Sequence, residues 1–95
     1  MKNLLPIGSV VTLKGATKSL MIIGTHQIDE EGQKYDYISC IYPEGYIDSE
    51  TFFLFSHEDI VDVKFVGYIN AESQAYIQLL KNQEMKTKYG LEDKN

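Results

Sequence analysis

The chain has 95 residues, and at 10.9 kDa folding would bury about 65% of the unfolded surface, which supports one modest core and excludes two domains. Hydrophobic residues make up 43%, with seven Tyr and four Phe, a content that excludes intrinsic disorder. Fourteen acids face nine bases, for a net charge of −5. All nine bases are lysine, a balance that argues against nucleic acid and anionic membranes as partners.

The amino-terminal run Leu4-Leu5-Pro6-Ile7 is short, and Pro6 interrupts it, so no signal peptide is expected. The apolar runs Leu20 to Ile23 and Phe52 to Phe55 fall far short of the roughly 20 residues of a membrane span. With a single cysteine, Cys40, no internal disulfide can form. A cytoplasmic location without a membrane span is the expectation.

Ser9 to Leu13 reads as a short β-branched strand that ends at the polar turn around Gly15. Ser19 to Ile28 is the second strand, and Asp29-Glu30-Glu31-Gly32-Gln33 is a hairpin loop with a glycine suited to positive φ. Tyr35 to Tyr42 is the third strand, and Tyr42-Pro43-Glu44-Gly45 is a turn. A fourth strand lies near Thr51 to Phe55. Ser56 then starts a single helical turn, with Asp59 reaching back to it.

Val61 to Tyr68 alternates most clearly: Val61, Val63 and Phe65 are expected on one buried face, Asp62 and Lys64 on the other. The period then changes. Asn70 is a natural N-cap, and Ser73, Tyr76, Ile77 and Leu80 fall on one helical stripe. Gly90 is the expected stop. The domain layout is therefore 4–69 as a β-barrel, 70–89 as a carboxy-terminal helix and 90–95 as a frayed tail. The fold class is mainly β: a small five-stranded antiparallel, SH3-like, partly open barrel with one carboxy-terminal α-helix.

Catalytic chemistry has little to build on. A Cys40/His57 nucleophile pair, oriented by Asp59 or Asp36, has the right residue types. Cys40 nevertheless sits mid-strand among Ile38, Ile41 and Tyr42, where a cysteine behaves as a small hydrophobe. One Cys and two distant histidines, His26 and His57, do not make a zinc site. The acids lack the spacing of a calcium loop, and no glycine-rich phosphate cradle is present. No catalytic residue, metal or cofactor is expected.

The tyrosines are the most informative excess. Tyr35 and Tyr37 share one face of the third strand, and Tyr42 and Tyr46 flank the Pro-Glu-Gly turn beside Glu44. Tyrosine offers contact area at low entropic cost. Two readings stand side by side: these rings complete a small core, or they form an aromatic protein-binding patch whose acidic neighbours Asp36, Glu44 and Asp48 favour a basic partner.

Six spaced motifs carry a resemblance. They are, in order, Leu5-Pro6-Ile7-Gly8-Ser9-Val10-Val11-Thr12-Leu13-Lys14-Gly15, Lys18-Ser19-Leu20-Met21-Ile22-Ile23-Gly24, Tyr35-Asp36-Tyr37, Tyr42-Pro43-Glu44-Gly45, His57-Glu58-Asp59-Ile60 and Phe65-Val66-Gly67-Tyr68. Together they resemble an uncharacterised, domain-of-unknown-function family of small proteins of Gram-positive bacteria, encoded in type VII secretion clusters beside LXG-type toxins. The resemblance implies an accessory role there and brings no catalytic residues. The expected function is a non-enzymatic, chaperone-like adaptor that binds an LXG toxin or a secretion component. An immunity protein that neutralises a cognate toxin is the alternative, and a small enzyme the third class. A homo-oligomer is compatible with all three.

Overall fold

The computed structural model describes residues 4–89, with side chains described as far as residue 83. Five strands appear in chain order: β1 (Val10–Leu13), β2 (Leu20–Ile28), β3 (Lys34–Ile41), β4 (Phe53–Phe55) and, after a 3₁₀ turn at His57–Asp59, β5 (Ile60–Phe65). All pair antiparallel in one sheet of order β4-β3-β2-β1-β5. The sheet is not closed, so β4 and β5 are its edges. The mainly β, five-stranded, open arrangement followed by one helix is the one the strand and turn pattern predicts.

Turn chemistry sets the local chain path. In the β2–β3 hairpin the Asp29 side chain accepts hydrogen bonds from the Glu31 and Gln33 backbone N–H groups at 2.9 and 2.8 Å. Gly32 closes that loop at φ +83°, a conformation costly for any residue with a β-carbon. In the 3₁₀ turn the Asp59 carboxylate accepts the Ser56 N–H at 3.0 Å, the reach-back expected of a capped start.

Cross-strand rows build the core. Val11, Leu20 and Ile41 stand opposite one another, as do Ile22, Ser39 and Phe53, and then Tyr37 and Phe55. Val11, Leu20, Ile22, Tyr37 and Phe55 are buried, each such side chain contributing about 1.5–3 kcal/mol of burial free energy. Val10 and Cys40 are buried in the neighbouring row, on the opposite side of the pleat. The buried hydroxyls are satisfied: Ser39 donates to the Phe53 carbonyl and Ser9 accepts the Gly67 N–H, both at 3.0 Å. At Gly67 the chain passes so close to residues 7–9 that a β-carbon there would run into the Ile7 carbonyl.

β5 departs from the expected alternation. Val61, Val63 and Phe65 are all exposed. The strand lies at an edge, and its register against β1 shifts twice. Val63 pairs with Val11 while Phe65 pairs with the adjacent Val10. Adjacent β1 residues point to opposite faces, so Val63 and Phe65 cannot share one.

Leu4–Tyr68 forms one compact unit, and a second begins at Ile69. In that second unit α1 spans Ala71–Tyr89. Asn70 caps it reciprocally: its side-chain oxygen accepts the Ser73 N–H at 2.8 Å, and the Ser73 hydroxyl accepts the Asn70 N–H at 2.9 Å. Ser73 and Ile77 are half-buried and Leu80 buried, whereas Tyr76 is exposed, so the buried stripe is narrower than the periodicity predicts. The expected stop at Gly90 and the tail 90–95 lie outside the described residues. Among the described residues no helix is long and apolar enough to cross a membrane.

Candidate protein-binding surface

Of the two tyrosines on β3, Tyr37 points inward. Tyr37 is wholly buried, its ring 5.2 Å from that of Phe55 and 5.9 Å from that of His57. Its hydroxyl accepts the Leu5 N–H at 2.9 Å and lies 2.7 Å from His57 Nδ1. Every group is satisfied when the Tyr37 hydroxyl donates to Nδ1, which assigns the ring proton of a neutral His57 to Nε2. The His57 backbone N–H in turn donates to Asp36 Oδ2 at 2.8 Å. Desolvation pushes the Tyr37 phenol up to about 12, aided by the negative charges of Asp36 and Glu58 and opposed by the Leu5 N–H.

Tyr37 is thus a core residue and offers no contact surface, which corrects its place in the expected patch. Tyr35, two residues earlier on the same strand, is half-buried. Asp36 is half-buried, and its carboxylate accepts the His57 backbone N–H.

The loop between β3 and β4 is different. Tyr42 is 49% exposed, Tyr46 67% and Ile47 51%, and Phe53, the first residue of β4, is 43% exposed. These residues lie on a braced scaffold. The Gly45 N–H donates to the Ile41 carbonyl at 2.7 Å, and the Tyr42 N–H to the Ser19 carbonyl at 3.0 Å. Lys18 Nζ reaches both carboxylate oxygens of Glu44, at 2.7 and 2.9 Å. Further along, Asp48 Oδ1 accepts the Thr51 hydroxyl at 2.6 Å and the Glu50 N–H at 2.9 Å. The Tyr46 and Phe52 rings pack against each other at an interplanar angle of 52°, with centroids 5.5 Å apart.

Of the five residues singled out in the sequence, the structure therefore brings Tyr42, Glu44 and Tyr46 together on one exposed loop. It places Tyr35 and Tyr37 on the adjoining strand, partly or wholly covered. Ile47 and Phe53 were not singled out. Their signal was available: both are large apolar residues within the acid-bearing stretch that holds Tyr46.

The nucleophile constellation does not assemble. Alternation along β3 sends Cys40 and Tyr37, three residues apart, to opposite faces, and the His57 ring rides on Tyr37. Among the described residues no group of three or more His, Cys, Asp or Glu is placed to hold a metal ion.

No curated protein and no solved structure matches the chain. The domain of unknown function DUF4176 matches residues 4–76, a stretch that takes in all five strands, the exposed loop and the start of α1, and the chain belongs to that family.

Proposed function

We propose that the chain is a non-enzymatic, cytoplasmic accessory protein of a type VII secretion system, a chaperone-like adaptor that binds an LXG toxin or a component of the export machinery. The observation that carries the protein-binding part is the loop between β3 and β4, where Tyr42, Tyr46 and Ile47 expose large apolar side chains on a hydrogen-bonded scaffold. A surface already held in shape loses little entropy on binding, and tyrosine is enriched at interface hot spots. The choice of partner rests on the resemblance to small proteins encoded beside LXG toxins.

Co-expression with LXG proteins from the same gene cluster, followed by affinity measurement on the complex, tests this reading. Tyr46→Ala is expected to weaken the complex by 2 kcal/mol or more, about 30-fold, with unchanged melting. Unchanged affinity in both Tyr46→Ala and Tyr42→Ala removes the loop from the interface. In the host, deletion is expected to abolish toxin export without self-intoxication. Self-intoxication with normal export assigns the immunity role instead and overturns the proposal.

A further inference from the structure

The same loop carries a charge pattern that specifies its partner more closely. Residues 42–53 hold three acids, Glu44, Asp48 and Glu50, and no lysine. All three are exposed, interleaved with exposed Tyr42, Tyr46 and Ile47. Two of the carboxylates also belong to the scaffold: Glu44 is held by Lys18, and Asp48 binds the Thr51 hydroxyl and the Glu50 N–H. Those contacts hold both below the usual carboxylate range, Glu44 chiefly through the Lys18 hydrogen bond and Asp48 chiefly through the Thr51 hydroxyl, so both stay charged at neutral pH. Glu50 is different, because its backbone N–H is used by the turn while no side-chain contact ties down its carboxylate among the described residues.

Apolar rings set among fixed negative charges discriminate between partners. An acidic segment laid on this loop meets like charge at every apolar contact, and a neutral apolar segment leaves the acids to be desolvated without compensation. A segment that places lysine or arginine beside its apolar side chains satisfies both features at once.

We infer that the β3–β4 loop receives a basic amphipathic segment of a partner protein, its apolar side chains against Tyr42, Tyr46 and Ile47 and its cationic groups over Asp48 and Glu50. This rests on the protein-binding reading above and adds the chemistry of the occupant. Affinity for such a segment depends on salt and on Glu50, whereas the scaffold of the loop does not depend on Glu50.

The probe is a pair of synthetic peptides with one leucine pattern, carrying lysine at the polar positions in the first and glutamate in the second. Backbone amide shifts of the intact chain are followed by NMR during titration with each. The lysine peptide is expected to move amides within 42–53. Its affinity is expected to fall about three- to tenfold in Glu50→Lys, the range that exposed ion pairs and their reversal span. A similar fall is expected when salt rises from about 0.05 to 0.5 M, which shortens the screening length from roughly 14 to 4 Å. Equal binding of the glutamate peptide overturns the inference. So does a lysine-peptide response centred on another acidic stretch such as Asp29-Glu30-Glu31.

Failure of the two proposals is distinguishable. An LXG complex that forms with neither salt nor Glu50→Lys altering its affinity overturns the basic-segment inference and leaves the adaptor reading standing. Capture of the lysine peptide at 42–53 by a chain that binds no LXG protein supports the inference and overturns the adaptor's assigned partner.

Discussion

Replacing Tyr37 with phenylalanine removes one oxygen and keeps the buried ring. In the native state that oxygen accepts the Leu5 N–H at 2.9 Å and lies 2.7 Å from His57 Nδ1. The variant leaves both partners facing an apolar ring edge. Leaving a donor unsatisfied in a partly buried site costs about 1–3 kcal/mol, so a loss of about 2 kcal/mol is expected. For a domain of this size that lowers Tm by roughly 8–16 °C. Tyr37→Ala also removes ring packing against Phe55, which adds a cost of order 3–5 kcal/mol and approaches the whole stability of a small domain. Tyr46→Phe is the control, since its hydroxyl lies on an exposed side chain, and it should stay within about 0.5 kcal/mol of wild type. Urea unfolding monitored by circular dichroism reads all three. A Tyr37→Phe protein within about 0.5 kcal/mol of wild type, at unchanged m-value, refutes the argument that this hydroxyl fastens the segment at Leu5 and the 3₁₀ turn to the sheet.

Other outcomes follow from the same geometry. Because the folded-state phenol of Tyr37 ionises at about 12 against an ordinary 10, its contribution is fully present below pH 10 and is lost as pH rises toward 12; denaturant midpoints over that window should fall more steeply in wild type than in Tyr37→Phe. Gly67→Ala drives a β-carbon into the Ile7 carbonyl and to 3.0 Å from the Ser9 nitrogen, both backbone atoms, and should cost about 2–3 kcal/mol in a thermal melt; a neutral result means the 7–9 and 66–68 segments separate freely. Cys40→Ser places a hydroxyl in a buried apolar site and should cost about 1–2 kcal/mol, while the native thiol should label slowly with a bulky reagent; rapid labelling of the folded chain contradicts its burial.

What the sequence reveals divides along local and non-local lines. The strands, the Asp29–Gln33 hairpin, the Ser56–Asp59 turn and the Asn70 cap are set by neighbouring residues, and each is legible in the pattern. The β5 error arises where a non-local fact intervenes. Val61, Val63 and Phe65 alternate perfectly, but two register shifts against β1 break the correspondence between parity and face. The candidate surface shows the same limit. Four tyrosines within twelve residues look alike in sequence. Tyr37 differs from Tyr46 because Leu5, 32 residues away, and His57, 20 residues away, converge on its hydroxyl. The bond from Gly67 to Ser9 spans 58 residues and leaves no trace in local patterning. Tyr42, Tyr46 and Glu44 were identifiable because a turn with Pro and Gly keeps its flanking residues outside a sheet.

The irregularity of β5 has a consequence for the solution behaviour of the chain. An edge strand with Val61, Val63 and Phe65 exposed is, by composition, a template for pairing with a strand from another molecule. A template must offer a repeating row of donors and acceptors at constant spacing. Two register shifts within six residues break that row, and the Asp62–Lys64 ion pair at 2.7 Å sets charge beside the apolar side chains. The same bulges that move Phe65 off the face of Val63 therefore interrupt the ladder along which identical chains would otherwise stack. Straightening the strand by deleting one bulge residue would improve its pairing with β1 and, at the same stroke, create a sticky edge.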